Sequence, residues 1–183
     1  MIKYNNNFYT GGNFNGAGGA YIDDPSHFAY NITKWDGTDW FPLTSPGTCG
    51  LNSSIMAMAV YHNKLYFSGF FSQTYDTSGI YPALNMARWN DTVFSACGSF
   101  DGDFPLPLGA ALRFTIFQDK LIAGGYFTSI NGSPYGTYSG IAAYNDTAWS
   151  AMGNGFNNAV WSLTVFNGEL YAGGEFTASR DGL

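Results

Sequence analysis

The stretch Leu170-Tyr171-Ala172-Gly173-Gly174-Glu175-Phe176-Thr177 decides how this chain is read, because it recurs. Four segments align without gaps: YNNNFYTGGNF at 4–14, YHNKLYFSGFF at 61–71, FQDKLIAGGYF at 117–127 and FNGELYAGGEF at 166–176. A second block follows the first three: NITKWDGTDW at 31–40, NMARWNDTVF at 85–94 and GIAAYNDTAW at 140–149. In it Trp35, Trp89 and Tyr144 align, and a further aromatic follows five residues later at Trp40, Phe94 and Trp149. Self-similarity on this scale marks a repeat architecture, in which each unit buries an apolar face against its neighbour.

Each repeat reads as four short strands, A to D. Strand A places a large apolar side chain at every second position: Met56, Met58 and Val60; Leu112, Phe114 and Ile116; Trp161, Leu163 and Val165. That period of two is a strand signature. A polar pair follows, Asn63-Lys64, Asp119-Lys120 or Gly168-Glu169, and reads as the turn of a hairpin. Strand B covers 8–14, 65–71, 121–127 and 170–176. Strand C ends at the Trp/Tyr position, an Asp-Gly-Thr or Asn-Asp-Thr turn follows, and strand D opens on the second aromatic. No segment combines helical periodicity with caps.

Strand B is apolar or small on both faces. Leu121, Ala123 and Phe127 lie on one side, and Ile122, Gly124 and Tyr126 on the other. A two-layer sandwich would leave one face polar, so sheets are expected in front and behind, as between propeller blades. The glycine pair is expected to let an aromatic ring from the adjacent sheet approach the backbone. The expected fold is all-β: a β-propeller of four-stranded blades, present as a partial propeller of two full blades and two incomplete ones. The repeats run approximately 1–55 (first strand missing), 56–111, 112–160 and 161–183 (first two strands only), as one partial propeller over 1–183.

Composition agrees with a packed β domain. The chain has 183 residues, of which 45% are hydrophobic and 19% aromatic, and only 11% are charged. Disordered chains have the opposite balance. A net charge of −6 with seven Lys and Arg argues against a nucleic-acid groove or an anionic-membrane surface. No apolar run reaches the length of a membrane span, and the first residues hold no apolar stretch of signal-peptide type.

The string L-Y-x-G-G-x-F-T, followed by N-I-x-x-W-D-G-x-x-W, resembles the kelch-like repeat of secreted bacterial propellers, the delta-sixty type. Fungal cell-cortex polarity proteins carry similar repeats. The resemblance covers almost the whole chain and is closest at Leu170 to Thr177 and Asn31 to Trp40. The second copy departs from it, with Ser68-Gly69 for Gly-Gly and Phe94 for the second Trp. The resemblance implies a propeller exposed outside the cell within a larger repeat protein. It implies no shared catalytic residues.

Chemistry is sparse. His27 and His62 fall in different copies and different loops. Asp36 falls in a turn where Asn90 and Asn145 replace it, as turn chemistry requires. Asp101-Gly102-Asp103 offers a weak calcium pattern without a full loop signature. No metal, cofactor or catalytic group is therefore expected. Cys49 and Cys97 either form one bridge or act as two small buried hydrophobes. Five N-x-[ST] sequons, at Asn31, Asn52, Asn90, Asn131 and Asn145, are the glycosylation candidates of a secreted chain. The ligand-binding candidates are Tyr21, Tyr75, Tyr81, Tyr135 and Tyr138. They lie in long B–C loops (15–27, 72–83 and 128–138) outside the aligned positions, where a rigid scaffold carries function. A tyrosine rim suits protein or glycan recognition.

The expected function is a non-enzymatic extracellular module for adhesion, recognition or scaffolding, a segment of a larger repeat protein. Its partner would be a cell-surface protein or glycan, or further blades of its own protein. Two alternatives stand beside it: a filament or surface assembly formed by inter-chain blade completion with self-association, and part of a glycan-active propeller enzyme.

Overall fold

The computed structural model describes residues 1–16, 29–43, 50–76, 79–102 and 109–181. All regular elements among them are β-strands. None of the described residues forms a helix long and apolar enough to cross a membrane, a statement about helices alone. The chain divides into two compact units, Met1–Cys97 and Gly98–Leu183.

In the first unit, β1 (Ile2–Tyr4), β2 (Asn7–Gly11), β3 (Ile32–Trp35) and β4 (Trp40–Phe41) form one antiparallel sheet in that order. After the short β5 (Gly50–Leu51), β6 (Ile55–Tyr61) and β7 (Lys64–Gly69) form a second hairpin. A small hairpin, β8 (Gln73–Asp76) and β9 (Gly79–Pro82), pairs through β8 with β5. Then β10 (Met86–Trp89) and β11 (Phe94–Ala96) complete a second four-stranded sheet, ordered β6-β7-β10-β11.

The second unit repeats the pattern. β12 (Phe100–Asp101) precedes β13 (Ala110–Phe117) and β14 (Lys120–Tyr126); β15 (Ser129–Ile130) returns to pair with β12. β16 (Ile141–Tyr144) and β17 (Trp149–Ala151) close the third four-stranded sheet, β13-β14-β16-β17. β18 (Val160–Phe166) and β19 (Glu169–Gly174) form a two-stranded sheet.

Four sequence expectations need correction, three in the strands and turns and one at the glycine pair. The first repeat does not lack its first strand, because Ile2–Tyr4 pairs with β2. The long loops are not wholly irregular, because 73–76, 79–82 and 129–130 are paired strands. The A–B turns sit one residue earlier than the polar pairs suggested. Positive φ falls at Asn5 and Asn6, His62 and Asn63, Gln118 and Asp119, and Asn167 and Gly168. Two consecutive left-handed residues match the twist of the flanking strands, so Lys64, Lys120 and Glu169 open strands instead.

The glycine pair has two separate roles. Strand A carries a β-bulge at the same place in three repeats: between Ile55 and Ala57, Ala111 and Arg113, and Val160 and Ser162. The bulge presses a backbone carbonyl against strand B. A Cβ on Gly69, Gly125 or Gly174 would lie 2.0, 2.1 and 2.1 Å from the carbonyl oxygens of Ser54, Ala110 and Ala159. The first glycine faces the following sheet. A Cβ on Gly11 would lie 3.0 Å from Ile55 and Met58, and one on Gly124 would lie 2.8 Å from Val160 and 2.9 Å from Leu163. The approaching groups are aliphatic, so the expected aromatic ring is replaced by branched and thioether side chains.

These contacts centre the cores. In the first unit Tyr4, Tyr9 and Ile32 of the first sheet pack with Leu65, Phe67, Trp89 and Phe94 of the second. Tyr9 is 1% exposed, and its hydroxyl donates to Asp91 Oδ1 at 3.1 Å. Burial first, and the Asp91 carboxylate second, push its phenol well above the ordinary tyrosine range. In the second unit Ile122, Ile141 and Ala143 pack with Leu163 and Leu170. Each fully buried side chain of this size contributes roughly 1.5–3 kcal/mol.

Candidate functional site

The second unit holds a cleft of about 320 Å³ beside the end of β14. Three segments build it: the 135–140 loop after β15, Phe156 to Ala159 ahead of β18, and Arg180 beyond β19. Gly140 stands at φ +77° at the start of strand C, where Asn31 and Asn85 are also left-handed in their repeats. Its N–H donates to Phe127 O at 2.8 Å, and its own carbonyl accepts from Gly125 N at 3.0 Å. The loop is thereby tied to strand B.

The far wall is tied as well. Phe156 N donates to Ser139 O at 2.9 Å, and Arg180 N donates to Gly155 O at 2.8 Å. Phe156 stacks on Phe176 with centroids 4.1 Å apart. Asn157 Oδ1 accepts from Thr177 N at 2.9 Å and Ala178 N at 3.3 Å. The Arg180 guanidinium donates to Ser139 Oγ at 2.6 Å, and Ser139 Oγ donates onward to Gly136 O at 3.0 Å. A Cβ at Gly136 would stand 3.4 Å from the guanidinium. The cleft is therefore held by a backbone frame, with the Tyr135 side chain at its mouth, 70% exposed.

Among the described residues its lining offers aromatic rings, hydroxyls, two amides and one guanidinium. Such a surface stacks, donates and accepts hydrogen bonds.

Of the five tyrosine candidates, Tyr21 lies outside the described residues. Tyr135 lines the cleft. Tyr138 turns onto its own sheet, half-buried, with its N–H donating to Thr128 O at 3.3 Å and its hydroxyl to Trp149 O at 3.5 Å. Tyr75 and Tyr81 sit on β8 and β9 in the other unit. Tyr75 pairs with Ile80 and Tyr81 with Thr74, so the two rings face opposite sides of that hairpin. Arg180 and Phe156 carried no signal in the sequence. Asn157 did, since Asn52 occupies the same register and also accepts from two N–H groups, Ser72 and Gln73.

The sequons separate into two kinds. Asn31 is buried, 5% exposed, and its Nδ2 donates to Leu51 O at 2.8 Å. The nitrogen a glycan would take is thus engaged inside the sheet. Asn52, Asn90, Asn131 and Asn145 are exposed. Asn90 and Asn145 fold their own turns: Oδ1 of Asn90 accepts from Thr92 and Val93 N–H, and that of Asn145 from Thr147 and Ala148 N–H. These bonds leave Nδ2 outside the turn.

Cys97 is half-buried; Cys49, Asp103 and His27 lie outside the described residues. Asp101 Oδ2 accepts from Ser129 Oγ at 3.2 Å and Gly132 N at 3.1 Å, holding the turn after β15. No cluster of three or more His, Cys, Asp or Glu side chains suited to a metal occurs among the described residues. No family model matches the chain, and no curated protein does.

Proposed function

We propose that this chain is a non-enzymatic, extracellular recognition module whose four-stranded sheets are blades of a propeller, and that it binds glycan through the Tyr135–Arg180 cleft. The propeller and its closure are part of the proposal. They are supported by sheets that stack in the same register within each unit, through Gly11 in one and Gly124 in the other. The kelch-like resemblance and the extracellular setting rest on the repeat motif and on the exposed sequons.

The observation that carries the binding reading is the cleft itself: a rigid backbone frame with an exposed ring at its mouth and a guanidinium at its wall. Sugar rings present an apolar face for stacking and hydroxyls for a donor fork. The measurement is a glycan array probed with the intact chain, followed by titration of any hit against Tyr135→Ala and Arg180→Ala. Both variants should weaken binding about tenfold or more, the loss of roughly 1.4 kcal/mol or more. A hit that both variants bind unchanged removes the cleft from the proposal.

A further inference from the structure

Two sheet-on-sheet contacts in this chain use the same positions. In the first unit Tyr4 and Tyr9 of the β1–β2 sheet, 3% and 1% exposed, pack with side chains of β6 and β7, and Gly11 faces Ile55 and Met58 of β6. In the second unit Ile122 and Gly124 lie beneath β18, with Ile122 1% exposed. On the β18–β19 hairpin the equivalent residues are Phe166, Tyr171 and Gly173. Phe166 is 63% exposed and Tyr171 47%. The closest group to a Cβ on Gly173 would be Ser162 Oγ of the same hairpin. An edge hairpin with large exposed aromatics invites association.

The opposite kind of face is open on the first sheet. The groups that cover Ile122 and Gly124 include Leu163 and Leu170 beside Val160. In the first repeat the register positions of Leu163 and Leu170 are held by Met1 and Phe8, 78% and 43% exposed. Lys3 pairs with Phe8 across β1 and β2, so it shares that face. Glu169 pairs with Phe166 and shares the other. One face thus presents apolar groups with a cation, and the other apolar groups with an acid.

We propose that the β18–β19 face of one copy seats the β1–β2 face of a second copy, head to tail, continuing the stacking the chain uses within each unit. The two faces are different surfaces, so the contact is heterologous. Repeated, it builds closed rings, the smallest being two copies joined by two such contacts, or open chains of copies.

Complementation tests it with the full chain. Wild type, followed by light scattering through a dilution series, should grow in mass with concentration, to a closed ring of two or more copies or to an open chain. Gly173→Glu blocks one face and Phe8→Glu the other, so each variant alone should be monomeric. Mixed, they retain one intact face each and should form a 1:1 dimer that grows no further. The mixed dimer itself reports that both variants are folded, and the dilution series needs no variant at all. Wild type that stays monomeric at every concentration overturns the proposal, whether the faces meet within one chain or serve another protein. A variant that assembles alone, or a mixture that fails to pair while wild type assembles, overturns it equally.

Discussion

Strands β14 and β19 have almost the same sequence, Lys-Leu-Ile-Ala-Gly-Gly against Glu-Leu-Tyr-Ala-Gly-Gly, and different surroundings. From Leu121 to Gly125 every residue of β14 is buried, whereas no residue of β19 is. The strands share their turn, their bulge and their pairing with strand A. What differs is cover: β14 has β16 beside it and β18 across its face, and among the described residues β19 pairs with β18 alone. A strand apolar on both sides fixes its hairpin by local chemistry, but its burial depends on neighbouring sheets.

Large core truncations should separate covered from uncovered copies most widely. Trp89→Ala removes a side chain 1% exposed, and the expected loss is about 3–5 kcal/mol. Trp161→Ala removes one that is 48% exposed, so its cost should stay within about 1 kcal/mol. Chemical denaturation of the two variants against wild type measures both. Equal losses would mean that Trp161 is covered in solution.

The next effect is steric. Gly124→Val would drive methyl groups into Val160 and Leu163, and overpacking of that kind costs about 1–3 kcal/mol. Gly173→Val meets no neighbouring sheet and should cost under about 0.5 kcal/mol in a monomeric sample. Gly174→Val is the internal control. Its side chain would strike the Ala159 carbonyl at the bulge, so it should destabilise even though its strand is open. If Gly173→Val and Gly174→Val were equally mild, the separate roles assigned to the two glycines would be wrong.

The repeat was legible because its chemistry is local. Alternation in strand A, the paired glycines and the Asp/Asn turns each follow from backbone geometry within a few residues. Asn31 shows where that legibility stops. As a string it is a sequon, and only its alignment with Asn85 and Gly140, all left-handed, reveals a backbone requirement. The short strands β5, β12 and β15 were not legible, because each is set by a partner about 20 to 30 residues away and by no pattern of its own. The cleft was legible only at Tyr135. Arg180 reaches Ser139 across 41 residues of sequence, and no periodicity announces a contact of that kind.

The smallest expected difference lies among the three C–D turns. Asp36, Asn90 and Asn145 play one part, a side-chain oxygen accepting from N–H groups two and three residues ahead. Replacing Asn145 by Ala removes those bonds and should cost on the order of 0.5–1.5 kcal/mol. Replacing Asp36 by Asn should keep them. Only Asp36 titrates, and donation from the Asp39 and Thr38 N–H groups holds its carboxyl below the ordinary aspartate range. A folded pKa below the unfolded one means stability that is present above the unfolded value and is lost as pH falls through the folded one. Wild type should therefore lose Tm more steeply than Asp36→Asn below about pH 4, where free aspartate begins to protonate. Above about pH 5 the two melting curves should run parallel, with Asp36 then ionised in both folded and unfolded chains. The turn is fully exposed to solvent, so the divergence should be small. A Tm–pH comparison in which the two chains stay parallel down to pH values well inside the acid limb would show that the Asp36 turn bonds do not distinguish carboxylate from amide.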